Sequence, residues 1–498
     1  MSEGLNPVRV RFAPSPTGYL HLGGARTALY DYLLAQKSGG QFVLRIEDTD
    51  RKRFIEGAEQ DLMNSLRWLG LQWDEGPDIG GPYGPYRQSE RKQIYQEYGE
   101  KLVEQGNAYY CFCTPERLVK VRAEKQSKKE PPHYDRTCRN IPLEEARKRI
   151  AAGEPHVLRF KTPMEGTTTV KDLLRGEITF ENKTLDDYII IKTDGWALYH
   201  LAAAVDDHLM KITHVIRGSE WLPTAPLHSM IHRAFGWEEP VWVHLSVFLK
   251  PSGKGKMSKR EAAELSKDGY SIFVKDLDGL GYLPEAMVNW TALMGWSYDD
   301  HTEFFTMQDL IEKFSLEKLN PSPAAINFTK FDYFNKLHIK ALSDAELAQR
   351  LKPFFEKAGI EAPIATLELV APILKERITT LDDAVEMARF FFVDDITYMT
   401  ERFPIEGCSK TETLVIGTKV EQALNSIEVW DTDHLDTSMR ALMEQEGKEP
   451  RQFFGFLREV ISGQRISPPL FESMQILGKA VVLQRLRNAL SFIEEKVA

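Results

Sequence analysis

Cysteine is scarce: four in 498 residues, too few for the disulfide framework of a secreted scaffold. No apolar run reaches the roughly 18 residues that a membrane-spanning helix needs, so no membrane partner is expected. The opening MSEGLNPVRV lacks the basic-then-apolar layout of a signal peptide, and the expected compartment is the cytoplasm. Positive charge is not in excess either. Lys and Arg number 63 against 73 Asp and Glu, a net charge of −10, so any nucleic acid must be held by local basic surface. No internal repeat is evident. What is present is a globular composition, 42% hydrophobic and 27% charged, with length for three or four units.

The local basic surface has candidates in KVRAEKQSKK (120–129), in Arg51-Lys-Arg53, and in Arg451, Arg458, Arg465, Arg485 and Arg487. Each is also readable as a solvated helix face.

The most specific stretch runs from Arg11 to Gly24, RFAPSPTGYLHLGG. A strand-like segment (Val8, Val10, Phe12) leads through two prolines and a glycine to His21-Leu-Gly23-Gly24. A helical pattern then follows at Ala25, Ala28, Leu29, Tyr32 and Leu33. Glycine backbone at a helix start approaches phosphate closely, and His21 on that rim can donate to phosphoryl oxygens. A second basic element lies far downstream, Lys254-Gly-Lys256-Met-Ser258-Lys259-Arg260, flanked by Gly253 and interrupted by Gly255. Four cations in a flexible loop suit an anion.

Between them the strand QFVLRIED (41–48) follows the first helix, giving a βαβ unit and a parallel sheet. In such sheets ligands sit at the carboxyl ends of strands, the edge to which His21 and Glu47 belong. The Gly- and Pro-rich run 74–91 reads as an ordered functional loop. From 106 to 190 a charged helix (115–129) and β-like segments (VLRF, EITF, YIII) suggest an α+β insertion. Sheet-like sequence is expected to resume over 197–218, and 282–296 reads as an amphipathic helix. From 336 the pattern is helical. Ser343-Asp-Ala-Glu346 is a capping box ahead of Leu347, Leu351 and Phe354, and Pro468-Pro469 opens a later helix.

The His21 and Lys256–Lys259 elements together resemble the paired signatures of class I aminoacyl-tRNA synthetases. Their wording is similar to that of the glutamyl-tRNA synthetases over nearly the whole chain, in the runs RFAPSPTGYLHLGGART (11–27), LRIEDTD (44–50), YRQSER (86–91), DGWALYHLA (194–202), VDDHLM (205–210), VIRGSEWL (215–222), KMSKR (256–260), YLPEAMVNW (282–290) and SPPLFE (467–472). The resemblance implies an α/β fold: a split Rossmann-type catalytic domain (1–105 and 191–250), an inserted acceptor-stem-binding domain (106–190), a basic loop and stem-contact region (251–335), and an all-α anticodon-binding domain (336–498). It implies ATP with Mg²⁺, L-glutamate and tRNA(Glu) as substrates, with tRNA(Gln) as a second candidate. A glutamyl-adenylate forms first, and a ribose hydroxyl of the tRNA then takes the glutamyl group. A monomer is the default.

Free glutamate carries two carboxylates and one ammonium, so its pocket needs two cations and an anion. Arg11 and Arg217 are the cation candidates, Glu47 the anion and Tyr199 a hydroxyl partner. The resemblance places these in the amino-acid site together with Ala13 and Ser15. It assigns His21, Lys256 and Lys259 to catalysis, and Gly23, Gly24, Lys256, Ser258 and Lys259 to ATP. One departure is Ala203, where many members of the family carry Asn near the substrate side chain. Some relatives hold zinc in the insertion through Cys-x-Cys, a later Cys and a His two positions on. Here Cys111, Cys113 and Cys138 are followed by Asn140, a poor ligand, so zinc is not expected unless Tyr134 or His133 substitutes. Cys408 stands alone. The alternatives are a small-molecule nucleotidyltransferase, a non-catalytic tRNA-binding paralogue, a tRNA-modifying relative without an anticodon domain, and a glutaminyl enzyme. The last is disfavoured by APSPTG.

Overall fold

The computed structural model describes residues 7–50, 52–255, 265 and 270–497. They fall into two compact units, Met1–Leu277 with Met287–Phe328, and Asp278–Ala286 with Thr329–Ala498.

In the first unit the strand Arg9–Phe12 and the strand Gln41–Leu44 pair in parallel, from Arg9 against Gln41 to Phe12 against Leu44. The helix Leu22–Ser38 connects them. Its buried stripe, Leu22, Ala25, Ala28, Leu29 and Leu33, follows the helical period, while Tyr32 is half-buried. Gly39, at φ +63°, ends the helix in the left-handed conformation, and Gly40 N–H closes on Ala35 O at 2.9 Å. The expected βαβ unit is therefore present.

A second parallel pair joins strand His214–Gly218 to strand Val241–Leu245 through the helix Ala225–Phe235. The strand Arg9–Phe12 meets this half through Thr213 N–H on Arg9 O at 2.9 Å. The stretch 197–218 departs from its sheet-like expectation: it is a helix, Tyr199–Leu209, followed by a strand. Leu201 through Asp207 are all buried, so the apolar run carries no amphipathic period, and its three alanines favour helix.

The inserted region holds a three-stranded antiparallel sheet of Ala108–Cys111, Val157–Phe160 and Ile189–Ile191, with helices Pro115–Ser127 and Leu143–Ala151. Its hairpin, Thr167–Asp172 with Gly176–Glu181, does not stay with that sheet. Asp172 pairs in parallel with Trp242, so the hairpin lengthens the sheet formed by 214–218 and 241–245.

In the second unit the helix Asp344–Lys357 carries the expected capping box, with Ser343 and Glu346 each closing on the other's backbone. Leu347 and Leu351 are buried as expected, but Phe355 rather than Phe354 takes the next inward place. The helix Leu470–Leu477 begins directly after Pro469. Further helices, Lys410–Ser426, Thr432–Gln445, Pro450–Ser462 and Lys479–Lys496, enclose Val420, Met439, Phe453, Val460, Met474 and Val482. Arg485 belongs to this interior. Its guanidinium donates to the carbonyls of Ile461, Phe390 and Val393 at 2.6–2.9 Å, so it is no part of a basic surface. Arg487 is paired with Glu421 at 2.6 Å. No described helix is long and apolar enough to cross a membrane.

Candidate active site

Arg11, Glu47, Tyr199 and Arg217 come from four separate segments and meet in one cluster, in which all but the half-buried Tyr199 are buried. Arg11 leaves the first strand, and its Nε donates to Asp207 Oδ1 at 2.9 Å. Arg45 Nη1 reaches the same oxygen at 2.8 Å, and its Nη2 donates to Glu47 Oε1 at 3.2 Å. Asp206 faces the other way, accepting from Arg91 Nε at 2.7 Å, Gln88 at 3.0 Å and the Tyr95 hydroxyl at 2.8 Å. Arg45 Nε also lies 3.8 Å from Asp206 Oδ2, so the adjacent aspartates on one buried helix share Arg45 while Arg11 meets Asp207 and Arg91 meets Asp206. A lone buried charge would be costly, but this network pairs them. The two guanidinium groups hold Asp207 down to about 2 against its burial. Asp31, fully buried beside them with neither oxygen hydrogen-bonded among the described residues, has its carboxyl pushed well above the usual range by burial.

Glu47 is 7% exposed. Burial raises its carboxyl to about 7, against the pull of Arg45 and Arg11. Glu47 N–H donates to Pro14 O at 2.9 Å, which fixes the Ala13–Ser15 segment beside it: Ala13 is half-buried and Ser15 is exposed on the rim.

Arg217, at the end of its strand, has a different environment. Its Nη1 donates to the Tyr199 hydroxyl at 3.1 Å and lies 3.4 Å from His228 Nε2, and its Nε donates to His244 Nε2 at 3.0 Å. Nη2 is buried with no partner among the described residues. Trp221 lies against Tyr199, with ring centroids 4.3 Å apart. His200 and His228, whose ring nitrogens are 3.0 Å apart, are both kept neutral by burial, His200 at about 4. Ala203 is buried on the same helix as Tyr199.

His21 stands apart, as the N-cap of the helix Leu22–Ser38. Its Nδ1 accepts from Gly24 N–H at 3.2 Å, so the proton of the neutral ring sits on Nε2. A Cβ on Gly23 would lie 3.1 Å from His21 Cε1, so this glycine makes room for the imidazole as well as for any phosphate. The segment after the basic loop returns here. Leu22 N–H donates to Ile272 O and Val274 N–H to Leu20 O, both at 2.9 Å, and Lys275 Nζ covers the Tyr19 ring. Lys256, Ser258 and Lys259 lie outside the described residues.

In the insertion the sulfurs of Cys111, Cys113 and Cys138 lie within 4.8 Å of one another. The Tyr134 hydroxyl is 3.3 Å from both Cys111 and Cys113. Tetrahedral zinc with bonds of about 2.3 Å to sulfur separates its ligands by roughly 3.8 Å, close to the 3.6 Å between Cys113 and Cys138. Among the described residues no His, Asp or Glu joins the three thiols, and the Tyr134 hydroxyl is the oxygen beside them.

Sequence reasoning missed Arg45, Asp206, Asp207, Trp221, His228 and His244 as site residues. A signal was available in the ionisable residues inside apolar runs, VDDHLM and VWVHLSV, since charge in a buried element requires a partner.

Comparison with known proteins gives the family of the whole chain. The family model for tRNA synthetases class I (E and Q), catalytic domain, matches residues 7–333, and that for an anticodon binding domain matches 346–490. The chain is 44% identical over 495 residues to a glutamate–tRNA ligase of Dehalococcoides mccartyi, covering 98% of this chain and 99% of that one. It is 43% identical to one of Herpetosiphon aurantiacus, covering 98% of each. A crystal structure of a glutamate tRNA ligase from Elizabethkingia meningosepticum in complex with its amino acid superposes with a TM-score of 0.89 at 36% identity, covering 98% of this chain and all of that one.

Proposed function

Because the chain belongs to the class I tRNA synthetases of the E and Q group, we infer that it joins L-glutamate to the 3′ end of tRNA(Glu), using ATP with Mg²⁺ and passing through a glutamyl-adenylate. The observation that carries the choice of amino acid is the set of buried Arg11, Arg217 and Glu47 with the half-buried Tyr199, two cations and an anion for a substrate with two carboxylates and an ammonium. Arg217 keeps an unused donor for a carboxylate, and Glu47 is placed to receive the ammonium as it ionises.

In the first step the α-carboxylate attacks the α-phosphorus of ATP in line and pyrophosphate leaves. No covalent enzyme intermediate is needed, so the protein's work is positioning and stabilising charge on phosphoryl oxygens. His21 suits that role, because its cap bond to Gly24 fixes the tautomer that carries a proton on Nε2. Lys256 and Lys259, with Ser258, are proposed to contact the phosphates, supported by the return of residues 272–274 to the His21 segment. In the second step the terminal ribose hydroxyl attacks the carbonyl carbon of the mixed anhydride, the ester forms and AMP leaves. In the insertion, Cys111, Cys113, Tyr134 and Cys138 are the residues that would hold a zinc ion, whose closed set of four ligands would stabilise the fold rather than act on substrate. Metal analysis of the purified chain should then find about one zinc per molecule, lost in C113S. An equal zinc content in the two proteins would remove the assignment.

The deciding experiment is charging of purified tRNA(Glu) and tRNA(Gln) with labelled glutamate, ATP and Mg²⁺. Charging of tRNA(Glu) is expected, and charging of tRNA(Gln) as well would add a misacylated product for later amidation. A folded chain that charges neither would leave the non-catalytic paralogue.

A further inference from the structure

Each buried arginine around Glu47 except one is matched to a carboxylate. Arg11 and Arg45 meet Asp207, and Arg91 meets Asp206. Arg217, 6% exposed, has no direct carboxylate partner among the described residues; its contacts are the Tyr199 oxygen and the nitrogens of His244 and His228. A carboxylate does stand behind it, one ring away. His244 Nδ1 lies 2.7 Å from Asp172 Oδ2, and the same oxygen accepts from His244 N–H at 3.0 Å. The other oxygen, Oδ1, accepts from the N–H groups of Leu174 and Arg175, both at 3.0 Å, so Asp172 is held on all sides. His244 and Asp172 are both fully buried at the side chain.

The tautomer of His244 follows from its neighbours. A carboxylate only accepts and a guanidinium only donates, so the proton is on Nδ1 and the lone pair of Nε2 faces Arg217. Burial keeps the ring neutral, in agreement with that arrangement. A neutral imidazole is therefore a rigid spacer: it fixes the direction of the guanidinium without placing a negative charge against it. An Asp in direct contact would orient Arg217 equally well, but would compete with an incoming carboxylate.

We propose that His244 and Asp172 are positioning residues for Arg217, holding its guanidinium oriented but not neutralised, and that this arrangement sets the preference for a carboxylate over a carboxamide in the bound amino acid. The proposal rests on the glutamate reading above. A substrate carboxylate completes the charge of Arg217, whereas a carboxamide leaves a buried cation unpaired.

The test is pyrophosphate exchange by the full chain with tRNA present, measuring KM and kcat for glutamate, KM for ATP, and the ratio of kcat/KM for glutamate over glutamine. H244L is expected to raise the glutamate KM tenfold or more and to cut the ratio at least tenfold, with ATP KM within twofold of wild type. H244Q, whose amide can accept from Arg217 and donate to Asp172, should recover most of both. D172N carries the test if H244L does not fold. Its amide can donate to Nδ1, which admits the other tautomer and sets Nε2–H against Arg217 Nε–H, so the glutamate KM should again rise. The proposal is overturned if folded H244L or D172N keeps glutamate KM and the ratio within twofold of wild type. It is overturned equally if ATP KM rises in step with glutamate KM, the mark of general damage. A wild-type chain that exchanges with neither amino acid would sink the glutamate reading itself.

Discussion

Burial raises the Glu47 carboxyl to about 7, and two consequences of opposite sign follow. In its proposed role of meeting the substrate ammonium it must be ionised, so the glutamate KM should climb as pH falls through about 7, by up to about tenfold per pH unit below that. E47Q should raise the KM at neutral pH and flatten this profile, and a variant profile parallel to wild type would remove Glu47 from the role. For the fold the sign reverses. Its folded value lies above the ordinary 4.5, so keeping the carboxylate ionised costs about 3 kcal/mol above pH 7 and nothing below pH 4.5. E47Q should therefore melt higher than wild type at pH 8 and converge with it below pH 5, as thermal unfolding across pH would record. A site that takes a cation is, when empty, a point of weakness in the core.

At the scale of the element, the helix Leu22–Ser38 gives His21 two duties, capping the first turn and presenting Nε2–H. H21A removes both at once, with about 1 kcal/mol of cap energy confounding the rate. H21N keeps a capping oxygen without the ring. It should hold the wild-type melting temperature while losing on the order of 10²–10³ in rate, and full activity in H21N would reduce His21 to a cap. This helix and its flanking strands were legible in the sequence, because caps, glycine stops and apolar periodicity act within a few residues. The Arg11, Glu47, Tyr199 and Arg217 set was legible through the resemblance and the charges of glutamate. The partners that set their charges were not legible, because Arg45 meets Asp207 and Asp172 meets His244 across long separations that no local pattern encodes. The stretch 197–218 misled for a related reason: a helix buried on all sides shows no period to distinguish it from sheet.

Across the whole molecule the net charge of −10 opposes an RNA partner, which puts the weight on local surfaces. Of the candidate basic segments, Arg485 is interior, whereas the helix Pro115–Ser127 buries no residue and leaves Lys120 and Arg122 exposed, with Lys128 just beyond it. Reversing those three charges should raise the tRNA KM about tenfold or more. The salt dependence of that KM should become shallower by about one logarithmic unit for each phosphate no longer neutralised, with glutamate KM unchanged. An unaltered tRNA KM would leave this helix a solvated face. The hairpin whose first strand ends at Asp172 bears on how such a chain can be recombined. Residues 106–190 look like a cassette to exchange between relatives, yet the exchange replaces two of the four strands of a sheet that the recipient must complete. A graft lacking a carboxylate at that corner would strand the His244 proton in the interior, so chimaeras are better joined inside the three-stranded sheet's loops, leaving 167–181 with the host.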